Sequence, residues 1–230
     1  MDPTYVQKCL NRKLCVYYTS PHIRTPLIKS FPMAYTDWYI NHLVFSRGFA
    51  YLFLLDHRLR AMSGTYGIMN ESPLEQIIVN IAKSVREGKP FGLEGWYSAI
   101  SKWGGHRIDY KQEWEDISEG TVIDLTDVWA FSPQNPLSLE QERSFQIGCV
   151  VGTQNNTRIV TDVDGGSQAQ LATVRWGEKV LGNQVIYHAA EDPDAHLWLL
   201  IERRGEMQRL EWLPRSNVNV PLWRLHSFVE

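Results

Sequence analysis

The sequence predicts an α+β fold, in which an N-terminal helical portion packs against a C-terminal antiparallel sheet, with a barrel-like curl of the sheet as one option. Capped apolar stripes at helical spacing occupy the first half, and short alternating runs between turn residues occupy the second. The charge changes with them. Residues 1–110 carry 13 Lys and Arg against 8 Asp and Glu, whereas residues 111–230 carry 10 against 18. We therefore divide the chain into a basic, mainly helical portion (1–110) and an acidic, mainly β portion (111–230), within one continuous structural unit.

The N-terminal portion begins with one predicted strand and one long predicted helix. Residues 13–19 (KLCVYYT) are rich in aromatic and β-branched side chains, which is typical of a strand. A helix is predicted from a cap at Thr36 to a stop at Gly64, because Thr caps helix N-termini and Gly ends helices in the left-handed conformation. The run from Phe49 to Leu55 is apolar on every side, so it should lie in the core.

The next helix has the clearest local signal in the chain. Ser72 and Glu75 have capping-box spacing, proline occupies the first helical position, and Gly88 ends the pattern. Residues 93–103 predict a third helix with an aromatic face. The apolar stripe of the capped helix comprises Leu74, Ile77, Ile78, Ile81 and Val85.

The acidic portion reads as short strands separated by turns. Asn155-Asn156 and Arg204-Gly205 have the residue types of hairpin turns, which need positive φ. Residues 138–143 predict a short helix by capping-box spacing. The predicted strands are 121–131, 145–153, 157–163, 170–176, 184–189, 196–202, 207–213 and 221–228.

Composition favours a reducing, aqueous setting. Cys9, Cys15 and Cys149 form no CxxC pair, which argues against a disulfide framework or a zinc knuckle and for the cytoplasm. The most apolar run has seven residues, far short of the about 20 needed to span a bilayer, so no membrane association is expected. We expect no cofactor and no metal, because nucleotide-binding, hydrolase and metalloprotease motifs are absent.

The leading candidate site is a basic and aromatic set in the N-terminal portion. Cations neutralise phosphates and aromatic faces stack on unpaired bases, so this set predicts contact with nucleic acid or phosphate. His106-Arg107 follows a glycine pair that could present both side chains to an anion. The set comprises Lys8, Arg12, Lys13, Tyr17, Tyr18, Arg24, Lys29, His106 and Arg107.

Three further clusters have simpler structural interpretations. Asp56-His57-Arg58 could supply acid–base groups, although neighbouring helix residues point apart and Asp56 has the spacing of an ion pair with Arg60. Asp162 and Asp164 precede a Gly-Gly pair and predict a β-turn rather than a calcium loop. The acidic run predicts a solvated face, and its members are Glu113, Glu115, Asp116 and Glu119, with Asp124 and Asp127.

Three functional hypotheses remain open at this point. The first is a non-enzymatic subunit or adaptor that binds a protein or nucleoprotein through a charge-asymmetric, Trp-rich surface. Nine tryptophans support it, because Trp is enriched in binding hot spots. The second is an enzyme acting on nucleic acid or a nucleotide, for which the groups to test are His22, Arg24, His57, His106 and Arg107. The third is a single-stranded nucleic-acid binder that uses the basic aromatic N-terminus.

Overall fold

The computed structural model describes residues 2–67, 71–104 and 108–226, and it confirms the α+β class. That part of the chain holds eight helices and two antiparallel sheets. Contacts group the chain into two units. The helical unit comprises Met1–Tyr17, His22–Leu139 and Trp223–Glu230, and the sheet unit comprises Tyr18–Pro21 and Glu140–Leu222.

The helical unit is built on a long central helix, α3, which α2, α4 and α5 all contact. None of the described helices is both long enough and apolar enough to cross a bilayer. The six helices of this part of the chain are α1 (Pro3–Tyr18), α2 (Leu27–Met33), α3 (Trp38–Ser63), α4 (Pro73–Arg86), α5 (Leu93–Gly104) and α6 (Tyr110–Ser118).

Helix α1 replaces the strand that residues 13–19 predicted, so that prediction is wrong. The physical reason is the apolar spacing over the full segment. Val6, Leu10, Leu14 and Tyr17 are all buried, and their separations of three and four residues place them on one helical face. The aromatic, β-branched composition of residues 13–19 suits a strand locally, but burial of this longer stripe decides the conformation.

The ends of α3 follow from its flanking residues. The Asp37 side chain accepts the Ile40 backbone N–H at 3.1 Å, so the cap is Asp37 rather than the expected Thr36. Gly64 ends the helix with φ of 68°, as predicted. Tyr51 and Leu54 are buried, which agrees with a core position for the apolar run, although Leu52 faces outward.

Helix α4 begins as predicted, but its apolar stripe is only half covered. The Ser72 hydroxyl accepts the Glu75 backbone N–H at 2.9 Å. Ile77 is 3% exposed, whereas the adjacent Ile78 is 46% exposed and Val85 is 50% exposed. The stripe therefore faces the core on one side and solvent on the other.

The sheet unit contains an open five-stranded sheet, in the order β2-β3-β4-β5-β6, and the two-stranded sheet β1-β7. In the described residues the larger sheet has free edges at β2 and β6, so it is not a closed barrel. The strands are β1 (Ser138–Phe145), β2 (Cys149–Gln154), β3 (Thr157–Val163), β4 (Lys179–Asn183), β5 (Leu197–Arg203), β6 (Glu206–Trp212) and β7 (Arg215–Arg224).

Both predicted hairpins are present. Asn155 and Asn156 adopt φ of 48° and 59° between β2 and β3, and Arg204 and Gly205 adopt φ of 57° and 84° between β5 and β6. These left-handed pairs match the right-handed twist of the flanking strands, and their residue types tolerate that conformation.

Four other element predictions are wrong. Residues 138–143 form part of β1 instead of a helix, and residues 121–131 form an irregular segment in which Asp127 and Phe131 have positive φ. The remaining two predicted strands overlap short helices. These are α7 (Gln168–Leu171), which covers the start of residues 170–176, and α8 (Ile186–Glu191), which covers the end of residues 184–189.

Candidate interaction sites

The structure separates the basic and the aromatic residues of the N-terminal set. Tyr17 is 0% exposed and Tyr18 is 1% exposed, so their ring faces are enclosed by protein and are not open to a base. Stacking on these two rings therefore has no structural support. Lys8, Arg12, Arg24 and Lys29 are exposed and Lys13 is half-buried, whereas His106 and Arg107 lie outside the described residues.

Tyr17 belongs to a buried polar cluster. Its hydroxyl accepts the Ile123 backbone N–H at 3.1 Å. The Arg47 side chain, which is 0% exposed, donates to the Ile23 carbonyl at 2.7 Å, while its Nε and Nη1 have no partner in the described part of the chain. Burial lowers the pKa of Arg47, and the Tyr17 hydroxyl partly offsets that effect. This cluster ties α1 and α3 to the backbone at Ile23 and Ile123, so its role is structural.

His57 faces a tryptophan rather than an acidic partner. Its Nδ1 accepts the Trp129 backbone N–H at 3.3 Å, and the two rings meet edge to face at 4.6 Å. Burial, and then the charge of Arg58, lower the pKa of His57. Asp56 forms the expected i,i+4 ion pair with Arg60 at 2.7 Å. Asp56 and His57 therefore do not act as an acid–base pair.

The acidic run divides between two depressions in the helical unit. Glu113 and Asp116 join Asp109 and Asp124 along an open cleft of about 380 Å³, and Arg58 forms an ion pair with Glu113 there. Glu115 and Glu119 line a second depression next to α5. Within the described ranges, no group of three His, Cys, Asp or Glu residues is placed to hold a metal ion.

Asp164 begins a turn, as predicted, whereas Asp162 lies in β3. The Ser167 backbone N–H donates to the Asp164 carbonyl at 3.2 Å, and Gly166 has φ of 74°. The Asp162 carboxylate accepts the next backbone N–H, of Val163, at 2.8 Å. The Asp164 carboxylate accepts the Gln146 side-chain amide at 3.2 Å, so each carboxylate has a hydrogen-bond partner within the protein.

Burial distinguishes the tryptophans, which composition alone did not. Trp212 and Trp223 are buried, and Trp129 is half-buried against His57. Trp176 is 75% exposed, and its indole N–H has no protein partner in the described residues. Burial of a Trp side chain stabilises a protein more than burial of almost any other side chain does, so this exposure is unusual.

Trp176 lies in a corner of the sheet unit, between α7 and β4, which we call the Trp176 corner. Arg175 is its exposed neighbour, and Leu171, at the end of α7, is exposed as well. Val174 is buried beneath them. An open pocket of about 390 Å³ runs along this corner, and its lining residues are Val163, Gln170, Thr173, Val174, Arg175 and Trp176.

The backbone of the corner is held firmly. The Arg203 guanidinium donates to the Thr173 carbonyl at 2.8 Å and pairs with the Glu178 carboxylate. That carboxylate also accepts the Arg175 backbone N–H at 3.0 Å. Thr173 adopts φ of 68°, a conformation that non-glycine residues rarely hold without such support. The corner therefore presents Trp176 and Arg175 from a fixed backbone.

Sequence reasoning missed the Trp176 corner because it assigned residues 170–176 to a strand. The available signal was the Thr-Val-Arg-Trp-Gly sequence next to the capping residue Ser167, whose hydroxyl accepts the Gln170 N–H at 3.2 Å. A serine cap before Gln and Gly177 after Trp176 together indicate a helical turn followed by a loop.

Comparisons with known proteins leave the chain without a family. No family model matches it, and no curated protein matches its sequence. One solved structure that it resembles is an aminopeptidase N family protein from Idiomarina loihiensis, with a TM-score of 0.49 and 12% sequence identity. The match covers 99% of this chain but only 43% of that protein. At this level of likeness we take neither fold nor activity from it.

Proposed function

We propose that the protein is a non-enzymatic binding subunit, and that the Trp176 corner holds a protein partner. The observation that carries the proposal is the 75% exposure of Trp176 on a rigid backbone beside an exposed arginine. Trp and Arg are the residue types most enriched in binding hot spots. A monomer gains nothing in stability from an exposed indole, whereas an interface gains its full burial.

The rigidity of the corner supports binding rather than incidental exposure. Arg203 and Glu178 fix the loop on both sides of Trp176 before any partner arrives. A pre-organised loop loses little conformational entropy on binding, so more of the contact energy appears as affinity. An exposed Trp on a mobile loop would lack this advantage.

The lining of the corner indicates what the partner presents. The half-buried Val163 and the exposed Trp176 ring offer apolar surface, so an apolar side chain should enter the pocket. The Arg175 side chain has no partner in the described residues, so a carboxylate on the partner should meet it. An extended segment that carries an apolar residue next to Asp or Glu fits both requirements.

The test compares the wild-type chain with Trp176→Ala and Met207→Ala as baits in extracts of the encoding organism. Met207 is the matched control, because it is an apolar residue of the same unit with 72% exposure. We expect quantitative mass spectrometry to show one or a few proteins that wild type and Met207→Ala retain and Trp176→Ala loses. Equal capture by all three baits would refute the proposed site.

A separate measurement addresses the enzyme alternative. If the isolated protein turned over a nucleotide or nucleic acid, and alanine at His22, Arg24 or His57 abolished turnover without changing the thermal melt, the chain would be an enzyme. Of the five groups named for that alternative, His57 contacts Trp129, and His106 and Arg107 lie outside the described residues.

A further inference from the structure

The uncovered side of α4 carries an ordered pattern of side chains, which we call the α4 stripe. It comprises Glu75, Ile78, Ala82, Val85 and Lys89, all of them exposed. The four helical members, Glu75 to Val85, are separated by three, four and three residues, which is the spacing of the contact seam between paired helices. Lys89 lies beyond the C-cap Glu87 and the left-handed Gly88. The stripe is acidic at its N-terminal end, apolar in the middle and basic just beyond the C-terminal cap.

We propose that the α4 stripe is the contact between two copies of this chain, packed antiparallel about a two-fold axis that passes between Ile81 and Ala82. In that register Ile78 of one copy lies opposite Val85 of the second copy, and the reverse. Glu75 then faces the basic end, Arg86 and Lys89, of the second copy. A two-fold interface needs a surface that is complementary to itself. The stripe meets this condition when the second copy runs antiparallel, because its acidic end then lies against the basic end of the other copy.

Charge selects the antiparallel arrangement. A parallel pair would place Glu75 against Glu75 and Lys89 against Lys89, which repel. The antiparallel pair creates two equivalent attractions instead. Lys89 now pairs with Glu87 at 2.8 Å, but both side chains are exposed, and such surface pairs contribute little. Loss of the Lys89–Glu87 ion pair, when Lys89 turns to Glu75 of the second copy, should therefore cost little free energy.

Shape supports the same register. Ala82 lies midway along the stripe, and a small residue at the crossing point lets two helix backbones approach closely. The β-branched Ile78 and Val85 on either side lose little side-chain freedom when they become buried. Ile77, the residue before Ile78, is buried in the core. Its burial sets the rotation of α4, and so the direction in which the stripe faces.

The charges favour a second copy over a lipid surface. Between residues 71 and 89 there are three acidic and three basic side chains, so the face has no net positive charge. Adsorption to anionic lipid typically uses about four to eight clustered Lys and Arg residues. The α4 stripe lacks such a cluster, and its two ends carry opposite charges that can pair with those of a second copy.

The contact is small, because α4 contributes only 14 residues from each copy. Stable interfaces bury about 800 Å² per partner, and one short helix approaches the lower end of that range. We therefore expect a weak dimer, with a dissociation constant on the order of micromolar.

Sedimentation equilibrium on the full chain, from about 1 to 200 µM, tests the proposal together with two charge variants. Glu75→Lys alone, and Arg86→Glu with Lys89→Glu, should each weaken self-association at least about tenfold, because each sets like charges together. An equimolar mixture of the two variants should dimerise again, since every pair in the mixed dimer is opposite in sign. Circular dichroism and the thermal melt report separately whether the variants fold.

Disulfide trapping tests the register itself. Ala82→Cys should form a covalent dimer rapidly on mild oxidation, because the two-fold axis brings the two cysteines together. Asn80→Cys is the matched control, since residue 80 is also exposed but points to the other side of α4. The wild-type chain, with its three native cysteines, supplies the background rate.

Three results would overturn the proposal. These are a monomer throughout the concentration range, no recovery in the mixed variants, and equal trapping at positions 80 and 82. A monomer that instead co-sediments with phosphatidylserine vesicles would assign the stripe to a membrane surface. None of these outcomes bears on the Trp176 corner, which lies in the other unit.

Discussion

For Arg47 and His57, burial is the largest influence on the side-chain pKa. Both lie on α3 in the helical unit, and both have a lowered pKa for which burial is the first cause. Neither has a carboxylate partner among the described residues. At residue scale, these two side chains can be tested without any knowledge of a binding partner.

Replacement of Arg47 by Met should leave the protein as stable or make it more stable by about 1–2 kcal/mol, because a buried cation with no carboxylate partner and two unsatisfied nitrogens costs more than an apolar side chain of similar length. Arg47→Ala removes the same charge but leaves a cavity, so it should lower the free energy of unfolding by about 2 kcal/mol or more. Urea denaturation of both variants measures the difference. A Met variant that is destabilised as much as the Ala variant would mean that the guanidinium has partners that hold it in place.

His57 should make the protein less stable in mild acid. Its folded-state pKa is lowered below the unfolded value of about 6.5, so protonation favours the unfolded chain. The free energy of unfolding should be unaffected by this group above that pH and should decline as the pH falls from about 6.5 through the folded-state pKa. His57→Asn keeps an acceptor for the Trp129 N–H but does not titrate. Denaturation between pH 5 and 8 should therefore show a shallower decline for the variant, and parallel curves would contradict the account.

At the scale of elements, local signals predicted some helices and hairpins and failed for others. Ser72, Gly64 and Asn155-Asn156 act on their immediate neighbours, so their effects could be read from the sequence. The conformation of residues 13–19 depends on burial of a stripe that begins at Val6, which is outside the window that suggested a strand. The positions of α7 and α8 likewise depend on tertiary contacts of the sheet unit.

The two adjacent isoleucines of α4 test how the structure orients this helix. Ile77→Ala should lower the free energy of unfolding by about 2–4 kcal/mol, because Ile77 is buried. Ile78→Ala should cost less than about 1 kcal/mol at low protein concentration, because Ile78 is exposed. Chemical denaturation of the matched pair gives both values. Equal losses would place the apolar stripe wholly in the core and would remove the α4 stripe as a surface.

At the scale of the whole molecule, the two binding surfaces that we propose lie on two different units. The α4 stripe belongs to the helical unit and the Trp176 corner to the sheet unit. A subunit built in this way could join a second copy and a different protein at the same time, as an adaptor does. The candidate site itself could not be chosen from the sequence, because composition shows nine tryptophans and only the fold shows that Trp176, at 75%, is far more exposed than Trp103, at 42%.

The adaptor hypothesis depends most directly on the affinity of the Trp176 corner for its purified partner. We would measure the dissociation constant by isothermal titration calorimetry for wild type, Trp176→Ala and Met207→Ala. The account predicts that Trp176→Ala weakens binding at least about thirtyfold, the effect of losing a hot-spot residue worth about 2 kcal/mol or more, with Met207→Ala within about threefold of wild type. Unchanged affinity in Trp176→Ala would contradict the central claim.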